Sequence, residues 1–226
     1  MLMQEVHVIK NTALTSDTNS ILLKKPAGFD YEPGQFIVVQ TTIEEKPVRR
    51  SYSLASAPHQ EHLEIIVKAQ PQGLVSPHLC ALAAGTTMHI LGPFGQFTLQ
   101  DEQAVLVGAG TGITPFIGYL RHLESVQTPH NITLLAAFRY EKDILLHEEL
   151  ARLTQTLNLT VHITLTRPEP TWKGLKGRVD ELMLASFPSA AYYLCGPTPM
   201  VVTVKQALTQ RGIKDVRTEK YGAITA

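Results

Sequence analysis

Short apolar runs separated by turn residues make up the first hundred positions of the chain. Each run is only a few residues long, and pairs such as Pro33-Gly34 and Gly92-Pro93 stand between them. Short strands at this spacing are typical of an antiparallel sandwich or barrel. The predicted strands are Val6–Ile9, Ile21–Leu23, Phe36–Val39, Leu63–Val67 and Met88–Leu91.

The pattern changes after residue 103, where apolar runs alternate with segments of helical spacing. The predicted strands are Ala104–Val107, Ile132–Phe138, Thr160–Leu165, Ala191–Cys195 and Val216–Lys220. The predicted helices are Thr114–Leu123, Asp143–Leu157, Asp180–Phe187 and Pro199–Gln210, the last with Gly212 as its C-cap. Strands that alternate with helices indicate a mostly parallel sheet covered by helices. We therefore predict two domains, an antiparallel β-barrel over residues 1–100 and an α/β domain with a parallel sheet over residues 101–226.

Composition and charge exclude several classes of protein. Hydrophobic residues make up 44% and charged residues 18% of the chain, which excludes wholesale disorder. Lys and Arg number 20, as do Asp and Glu, so the basic excess typical of a nucleic-acid binder is missing. No apolar run approaches the ~18 residues of a membrane span, and the first residues do not read as a signal peptide. We expect a cytoplasmic protein.

The cysteines and histidines do not favour a metal site. Two cysteines, Cys80 and Cys195, are too few for a disulfide scaffold or a four-thiolate cluster. His59 and His62 lie in a predicted loop, and no third ligand is evident nearby. We expect no metal centre formed by this chain alone.

A glycine-rich turn follows the first strand of the second half. It reads Gly108-x-Gly110-x-Gly112, and Thr114 and Pro115 then suit an N-cap and a first helical position. The first N–H groups of a helix bind anions, and a pyrophosphate is the usual guest at this point of such a sheet. Residue types alone leave open the alternative that the segment is only a turn.

A second candidate segment reads Arg49-Arg50-Ser51-Tyr52-Ser53. Strand alternation predicts that one arginine points inward and the other outward. Arginine pairs with phosphate, tyrosine offers a flat face for stacking, and serine donates a hydrogen bond, so the set suits a phosphate-bearing aromatic cofactor. On residue types alone, an edge strand with solvated arginines is the favoured alternative.

Seven segments in order resemble the ferredoxin–NAD(P)H reductase superfamily of flavoproteins, over about residues 4–222. Each motif is weak by itself, whereas their common order on this predicted architecture is specific. They are Pro33-Gly34-Gln35-Phe36, Arg50-x-Tyr52-Ser53, Gly73-x-x-Ser76, Gly92-Pro93-Phe94-Gly95, Gly108-x-Gly110-x-Gly112-Ile113-Thr114-Pro115, Cys195-Gly196-Pro197-x-Pro199-Met200 and Glu219-x-Tyr221.

The resemblance implies an FAD-binding barrel with the cofactor held by two segments. The implied residues are Arg50, Tyr52, Ser53, Leu54, Gly73, Leu74, Val75 and Ser76. Arg50 would hold the phosphate of the flavin nucleotide, and Tyr52 would stack on the isoalloxazine ring. Ser53 would lie near flavin N5, the atom that accepts the hydride. The segment 73–76 would contact the FAD pyrophosphate.

The resemblance also implies a pyridine-nucleotide domain. The implied residues are Gly110, Thr111, Gly112, Thr114, Cys195, Gly196, Pro197, Glu219 and Tyr221. Cys195 would shape the pocket for hydride transfer without acting as a nucleophile, and Glu219 and Tyr221 would close the far face of the flavin. Ser53, Cys195 and Glu219 are thus the candidate catalytic residues.

Three arginines bear on the choice of nucleotide. Arg139, Arg167 and Arg178 follow predicted strands, where they would bind the 2′-phosphate of NADPH, as in the similar bacterial flavodoxin/ferredoxin–NADP reductases. The stretches 141–146 and 167–172 instead resemble reductases of the cytochrome-b type, which use NADH. We favour NADPH and keep NADH as the alternative.

The electron acceptor implied by the resemblance is a separate molecule, because this chain cannot ligate a four-thiolate iron–sulfur cluster. A ferredoxin, a flavodoxin or a haem protein fits that role. One alternative is a flavin reductase that releases its flavin, and another is an electron-transfer subunit of a larger complex. The Gly73-x-x-Ser76 match argues against the first alternative, because an FAD pyrophosphate site implies a retained cofactor.

Overall fold

The computed structural model describes residues 3–43, 45–99 and 101–221. The chain divides into two compact units. The first contains Met1–Thr98 and Thr114–His122, and the second contains Leu99–Ile113 and Leu123–Ala226. The predicted domain boundary at residues 100/101 stays a prediction, because the helix that starts at Thr114 contributes its first residues to the first unit.

The first unit is an antiparallel barrel. In the described part of the chain its strands are β1 Gln4–Ala13, β2 Thr18–Lys24, β3 Phe36–Ile43, β4 Lys46–Ser53, β5 His62–Lys68 and β6 Thr87–Phe94. They are ordered β4-β3-β6-β1-β2-β5. A bridge between Leu54 and Ile65 joins the two ends of the sheet. The predicted antiparallel architecture is confirmed.

Alternation of apolar and polar residues builds the barrel core. Val6 and Val8 of β1 and Ile37 and Val39 of β3 are buried, while the residues between them are more exposed. Aliphatic side chains from every strand fill the interior. A six-residue helix, α1 (Val75–Cys80), packs on the barrel by Val75 and Leu79 and was not predicted.

A buried ion pair lies within the first unit. Glu64, in the apolar strand β5, is 5% exposed, and its Oε2 accepts a hydrogen bond from Arg121 Nη1 at 2.5 Å. Ser20 Oγ donates to Glu64 Oε1 at 2.6 Å, and Arg121 Nη1 also donates to the Ala55 carbonyl at 2.9 Å. Arg121 belongs to α2 (Thr114–Val126). These partners satisfy a carboxylate that would otherwise be costly to bury.

The second unit is built on a parallel sheet. Over the described residues its strands are β7 Gln103–Ala109, β8 Asn131–Phe138, β9 Leu159–Leu165, β10 Leu175–Lys176, β11 Ala191–Pro197 and β12 Val216–Tyr221. They are ordered β10-β9-β8-β7-β11-β12, and every adjacent pair runs parallel. The helices are α3 His147–Thr156, α4 Glu181–Leu184 and α5 Thr198–Gln210. The predicted α/β architecture is confirmed.

Several predicted helix ends were wrong. The helix expected from Asp143 begins at His147, because Leu146 adopts a left-handed φ of 54° and breaks the helical run. A one-turn 3₁₀ segment, Glu141–Asp143, precedes it. The helix expected over 180–187 is one turn long, and Asp180 caps it by accepting from Met183 N. Gly212 follows the C-cap residue Arg211 and adopts φ 77°.

Candidate functional site

Strand β4 sorts its two arginines onto opposite faces. Arg49 Nε donates to Gln40 Oε1 of β3 at 2.7 Å. Val48 and Tyr52, which alternate with it, pack against the barrel core. Arg50 shares the face of Val48 and Tyr52, yet it is exposed, and its Nη1 donates to the Arg49 carbonyl at 2.7 Å. Arg50 is therefore the arginine that accompanies the tyrosine.

Tyr52 connects strand β4 with helix α1. Its ring is half-buried, and burial raises the pKa of its hydroxyl to about 12, while the positive charge of Arg50 acts in the opposite direction. Cys80 of α1 also contributes to the electrostatic environment of Tyr52. Ser53 pairs with Phe36, and Leu54 is fully buried in the core. The structure thus brings the Arg50–Ser53 segment and α1 together.

The turn before α1 is closed by local hydrogen bonds. Gly73 N donates to the Gln70 carbonyl at 2.8 Å, and Gln70 N donates to Ser76 Oγ at 3.0 Å. Val75 is buried, whereas the side chain of Leu74 is 64% exposed. The first N–H groups of a helix have no partner inside it, so this turn presents donors next to an exposed apolar side chain.

These residues of the first unit fit a flavin nucleotide. An exposed guanidinium suits a phosphate, and a half-buried tyrosine ring suits an aromatic ring system. The turn at 73–76 adds N–H donors and the Ser76 hydroxyl, as a second phosphate requires. The roles predicted for Arg50, Tyr52, Ser53 and Leu54 stay predictions, as do those for residues 73–76.

In the second unit, the glycine turn is packed tightly against the end of β11. A Cβ on Gly112 would lie 2.2 Å from the carbonyl oxygen of Cys195. A Cβ on Gly108 would lie 2.9 Å from Ile113 Cγ2. Gly110 differs, because its φ is +55° and its Cβ direction meets nothing within 4 Å. The turn is therefore fixed on one side and open on the other, which fits a bound pyrophosphate.

One detail of this turn was predicted wrongly. Ile113 occupies the N-cap position of α2, Thr114 is its first helical residue, and Pro115 follows. Residues 110–113 form a 3₁₀ turn that leads directly into the helix, so the capping position falls one residue earlier than expected. The binding roles predicted for Gly110, Thr111, Gly112 and Thr114 stay predictions.

Cys195 and Glu219 are neighbours in the sheet. They pair across β11 and β12, and Cys195 pairs with Gly108 on its other side. Burial, with a further contribution from the charge of Glu219, raises the pKa of the Cys195 thiol far above its ordinary value. Burial also raises the pKa of Glu219. A thiol that stays protonated is a small apolar group rather than a nucleophile.

Gly196, Pro197 and Tyr221 lie at the carboxyl ends of strands β11 and β12. Gly196 is buried and Pro197 is exposed at the end of β11. Tyr221 ends β12, and the role predicted for its side chain lies outside the described residues. The predicted roles of Cys195, Gly196, Pro197 and Glu219 stay predictions.

The three arginines lie at the carboxyl ends of three adjacent strands. Arg139 directly follows β8, Arg167 lies two residues beyond β9, and Arg178 lies two residues beyond β10. Arg167 N donates to the Arg139 carbonyl at 2.9 Å, and Arg167 Nη1 donates to the Tyr140 hydroxyl at 3.1 Å. All three arginines are exposed. Exposed guanidinium groups at this edge suit an anionic group of a nucleotide.

Sequence reasoning missed two networks in the first unit. The position of Glu64 inside the apolar run 63–67 could have predicted a buried ion pair, because a buried carboxylate needs a partner. Asn11 and Asn19 carried no such signal, yet their side chains contact helix α1.

Two further expectations concern metals and membranes. In residues 3–43, 45–99 and 101–221, no three His, Cys, Asp or Glu side chains come together as a candidate metal site. Among the helices described there, none is both long and apolar enough to span a membrane.

Family models match both halves of the chain. Residues 5–99 match the oxidoreductase FAD-binding domain, and residues 106–206 match the oxidoreductase NAD-binding domain. The matched segments contain the candidate site residues of the two units except Glu219 and Tyr221, which lie beyond residue 206.

Individual relatives point in the same direction. The ferredoxin reductase component of a 3-ketosteroid-9-alpha-monooxygenase from Rhodococcus rhodochrous is 34% identical, over 90% of this chain and 60% of the relative. NADH-cytochrome b5 reductase 1 of Aspergillus terreus is 33% identical, over 81% of this chain and 68% of the relative. The chain spans about three fifths of the length of the first curated relatives it matches.

A solved structure shares the fold along its whole length. The flavohem-like FAD/NAD-binding domain of nitric oxide dioxygenase from Vibrio cholerae O1 biovar El Tor has a TM-score of 0.87 and 26% identity. The match covers 97% of this chain and 99% of that one.

Proposed function

This chain belongs to the ferredoxin–NAD(P)H reductase superfamily of flavoproteins, and from that membership we propose that it is an FAD-dependent NAD(P)H oxidoreductase serving a separate electron acceptor. One observation carries the proposal. In the first unit, Tyr52 lies near helix α1, which follows the turn at 73–76. In the second unit, the glycine turn packs through Gly112 against Cys195 at the end of β11. Bound FAD would supply the redox chemistry, taking a hydride from the nicotinamide at N5 and releasing electrons singly.

The barrel residues have binding and orienting roles in this proposal. Arg50 neutralises the phosphate of the flavin nucleotide, and Tyr52 supplies a rigid face because its ring is held against the core. Ser53 offers a hydroxyl donor toward N5. The turn at 73–76 binds the pyrophosphate through its N–H groups and the Ser76 hydroxyl.

The second unit holds the nicotinamide nucleotide. The turn containing Gly110, Thr111 and Gly112, with Thr114 after it, binds the pyrophosphate. Cys195 and Gly196 form a wall of the nicotinamide pocket. Because Cys195 is buried and its pKa is raised, it excludes water there without exchanging a proton. Pro197 extends this wall, and the roles predicted for Glu219 and Tyr221 stay predictions.

We propose NADPH as the preferred nucleotide and keep NADH as the alternative. The support is the placement of Arg139, Arg167 and Arg178 at one edge of the sheet. If this assignment is right, Arg167→Ala lowers kcat/KM for NADPH and leaves kcat/KM for NADH nearly unchanged. An enzyme whose two values fall equally would contradict the assignment.

The acceptor we propose is a ferredoxin, a flavodoxin or a haem protein. The names of the relatives support a protein acceptor, since one is a ferredoxin reductase component and another a cytochrome b5 reductase. We also propose a cytoplasmic location. Its support is that Cys80 and Cys195 are both free thiols, as is usual in a reducing compartment.

Flavin binding by the purified chain tests this function. We expect a yellow protein, or a colourless one that takes up added FAD and keeps it through gel filtration. A chain that fails to bind FAD would overturn the proposal. A chain that binds flavin only transiently, while oxidising NAD(P)H in its presence, would identify a flavin reductase instead.

A further inference from the structure

Two asparagines of the barrel hold the carboxyl end of helix α1. Asn11 Nδ2 lies 3.1 Å from the Leu79 carbonyl oxygen, 3.2 Å from that of Cys80 and 2.9 Å from that of Leu82. Asn19 Nδ2 donates to Asn11 Oδ1 at 2.8 Å and lies 3.3 Å from the Cys80 carbonyl oxygen. One amide therefore serves several carbonyls, and a second amide fixes the orientation of the first.

Helix α1 depends on partners outside itself. The last four carbonyls of any helix have no acceptor role within it, and a helix of six residues is far below the ~12 residues needed for stability alone. Asn11 and Asn19 supply the missing donors from strands β1 and β2, which are paired in the barrel. Removing the Asn11 amide would take this donor from the Leu82 carbonyl, whereas the Leu79 carbonyl would keep Leu82 N and the Cys80 carbonyl would keep Asn19 Nδ2.

The same hairpin also holds the chain before α1. Ala69 N donates to the Asp17 carbonyl at 2.7 Å, and Lys68 Nζ lies 2.7 Å from Asp17 Oδ2. Asp17 lies in the turn between β1 and β2, and its carboxylate accepts from the hydroxyls of Thr15 and Thr18. The β1–β2 hairpin thus forms hydrogen bonds with both ends of segment 69–82, at Ala69 and at Leu79–Leu82. The turn Gly73–Ser76 lies between these two points.

We propose that Asn11 and Asn19 are positioning residues for FAD, which keep the turn at 73–76 in the conformation that binds the cofactor's pyrophosphate. The proposal rests on the proposed function. Neither asparagine is proposed to contact the cofactor. They act through helix α1, whose first residues complete the turn.

Comparison of FAD with FMN isolates this effect. FMN lacks the second phosphate and the adenosine, so its binding depends on Arg50 and Tyr52 and not on the turn at 73–76. In Asn11→Ala we expect the Kd for FAD to rise about tenfold. Losing a hydrogen bond and leaving its half-buried partner unpaired costs about the free energy of a tenfold change in affinity. The Kd for FMN should stay within about twofold of the wild-type value.

Matched variants control the experiment. Asn131→Ala, at the exposed start of β8, should change neither Kd. Arg50→Ala should weaken both flavins together. Asn19→Ala keeps the three contacts of Asn11 to carbonyls and should give a smaller loss of FAD affinity, so the test remains decisive if Asn11→Ala does not fold.

Hydrogen exchange provides a second readout without any flavin. The amides of residues 74–82 should exchange faster in the asparagine variants, while those of β3 and β6 keep their wild-type rates. Equal losses of FAD and FMN affinity, unchanged FAD affinity, or unchanged exchange in residues 74–82 would each overturn the positioning role. A wild-type chain that binds no FAD would instead refute the proposed function on which the role depends.

Discussion

The two phosphate-binding turns proposed for this protein are built in opposite ways. In the first unit, the turn at 73–76 is closed by its own hydrogen bonds, and its flanks are bonded by the side chains of Asn11 and Asn19 and by the backbone carbonyl of Asp17. In the second unit, the turn at 108–112 keeps its position because Gly112 has no side chain and can pack directly on the backbone of Cys195. The first turn is therefore flanked by polar groups from elsewhere in the barrel, whereas the second depends on its own glycines.

The largest expected effect comes from adding one methyl group to the second turn. Gly112→Ala would place a Cβ 2.2 Å from the Cys195 carbonyl oxygen, and neither backbone can move without disturbing β11. We expect a loss of about 3 kcal/mol in the free energy of unfolding, measured by urea denaturation.

Gly110→Ala is the matched control for this change. Its Cβ meets open space, and only the left-handed φ of +55° is unfavourable. We expect a loss of about 1–2 kcal/mol. If both alanine variants were equally stable, close packing would not be what fixes the turn.

A charge removed from the first unit has the next largest effect, and it acts on binding rather than folding. Arg50→Ala should raise the Kd for FAD about ten- to hundredfold, because a charged hydrogen bond to phosphate is lost. Arg49→Ala removes the same side chain from the other face, where it contacts Gln40, and should change the Kd by less than about twofold. Equal effects of the two variants, measured by fluorescence titration, would refute the phosphate role of Arg50.

The two cysteines extend the comparison to alkaline pH. Burial raises the pKa of the Cys195 thiol, so the folded chain keeps its proton while the unfolded chain loses it above the ordinary value of 9.0. The unfolded state then binds fewer protons, and stability falls as pH rises past that value, by at most about 1.4 kcal/mol per pH unit. Cys195→Ala should remove this part of the slope of unfolding free energy against pH.

Cys80 serves as the reference for that measurement. Burial raises its pKa as well, but the residue is only half-buried and backbone N–H groups of Asn19 and Ala69 partly offset the shift. Cys80→Ala should therefore change the slope less than Cys195→Ala does. A larger change at Cys80 would contradict the burial assigned to the two thiols.

Sequence alone predicted the two architectures and the features that act locally. Runs such as Ala104–Val107 and Ile132–Phe138 became strands because their apolar pattern matches a buried parallel sheet. The glycine turn is also recognisable from the sequence, because its glycines lie close together along the chain. The Arg50–Ser53 segment is recognisable by its residue types, and its two arginines lie on opposite faces of the strand, but both are exposed rather than one pointing inward.

Features that depend on tertiary contacts could not be predicted. Helix α1 is too short for a periodic signal, and its contacts with the barrel core and with Asn11 and Asn19 join residues far apart in sequence. Leu146 lies inside the helix predicted over Asp143–Leu157, yet its left-handed φ delays the start of the helix to His147. Asparagines in a strand pattern look like any solvated polar residues, so their contacts with α1 are found only in the folded chain.

Anaerobic reduction of the FAD-loaded chain tests whether this protein passes electrons from a nicotinamide nucleotide to a bound flavin. The visible absorbance of the bound flavin is recorded while NADPH, and in a second experiment NADH, is added without oxygen. We expect the flavin bands to disappear at about one equivalent of the preferred nucleotide, because one hydride carries both electrons that the flavin accepts. Flavin bands that persist with both nucleotides, on a chain shown to hold FAD, would contradict it.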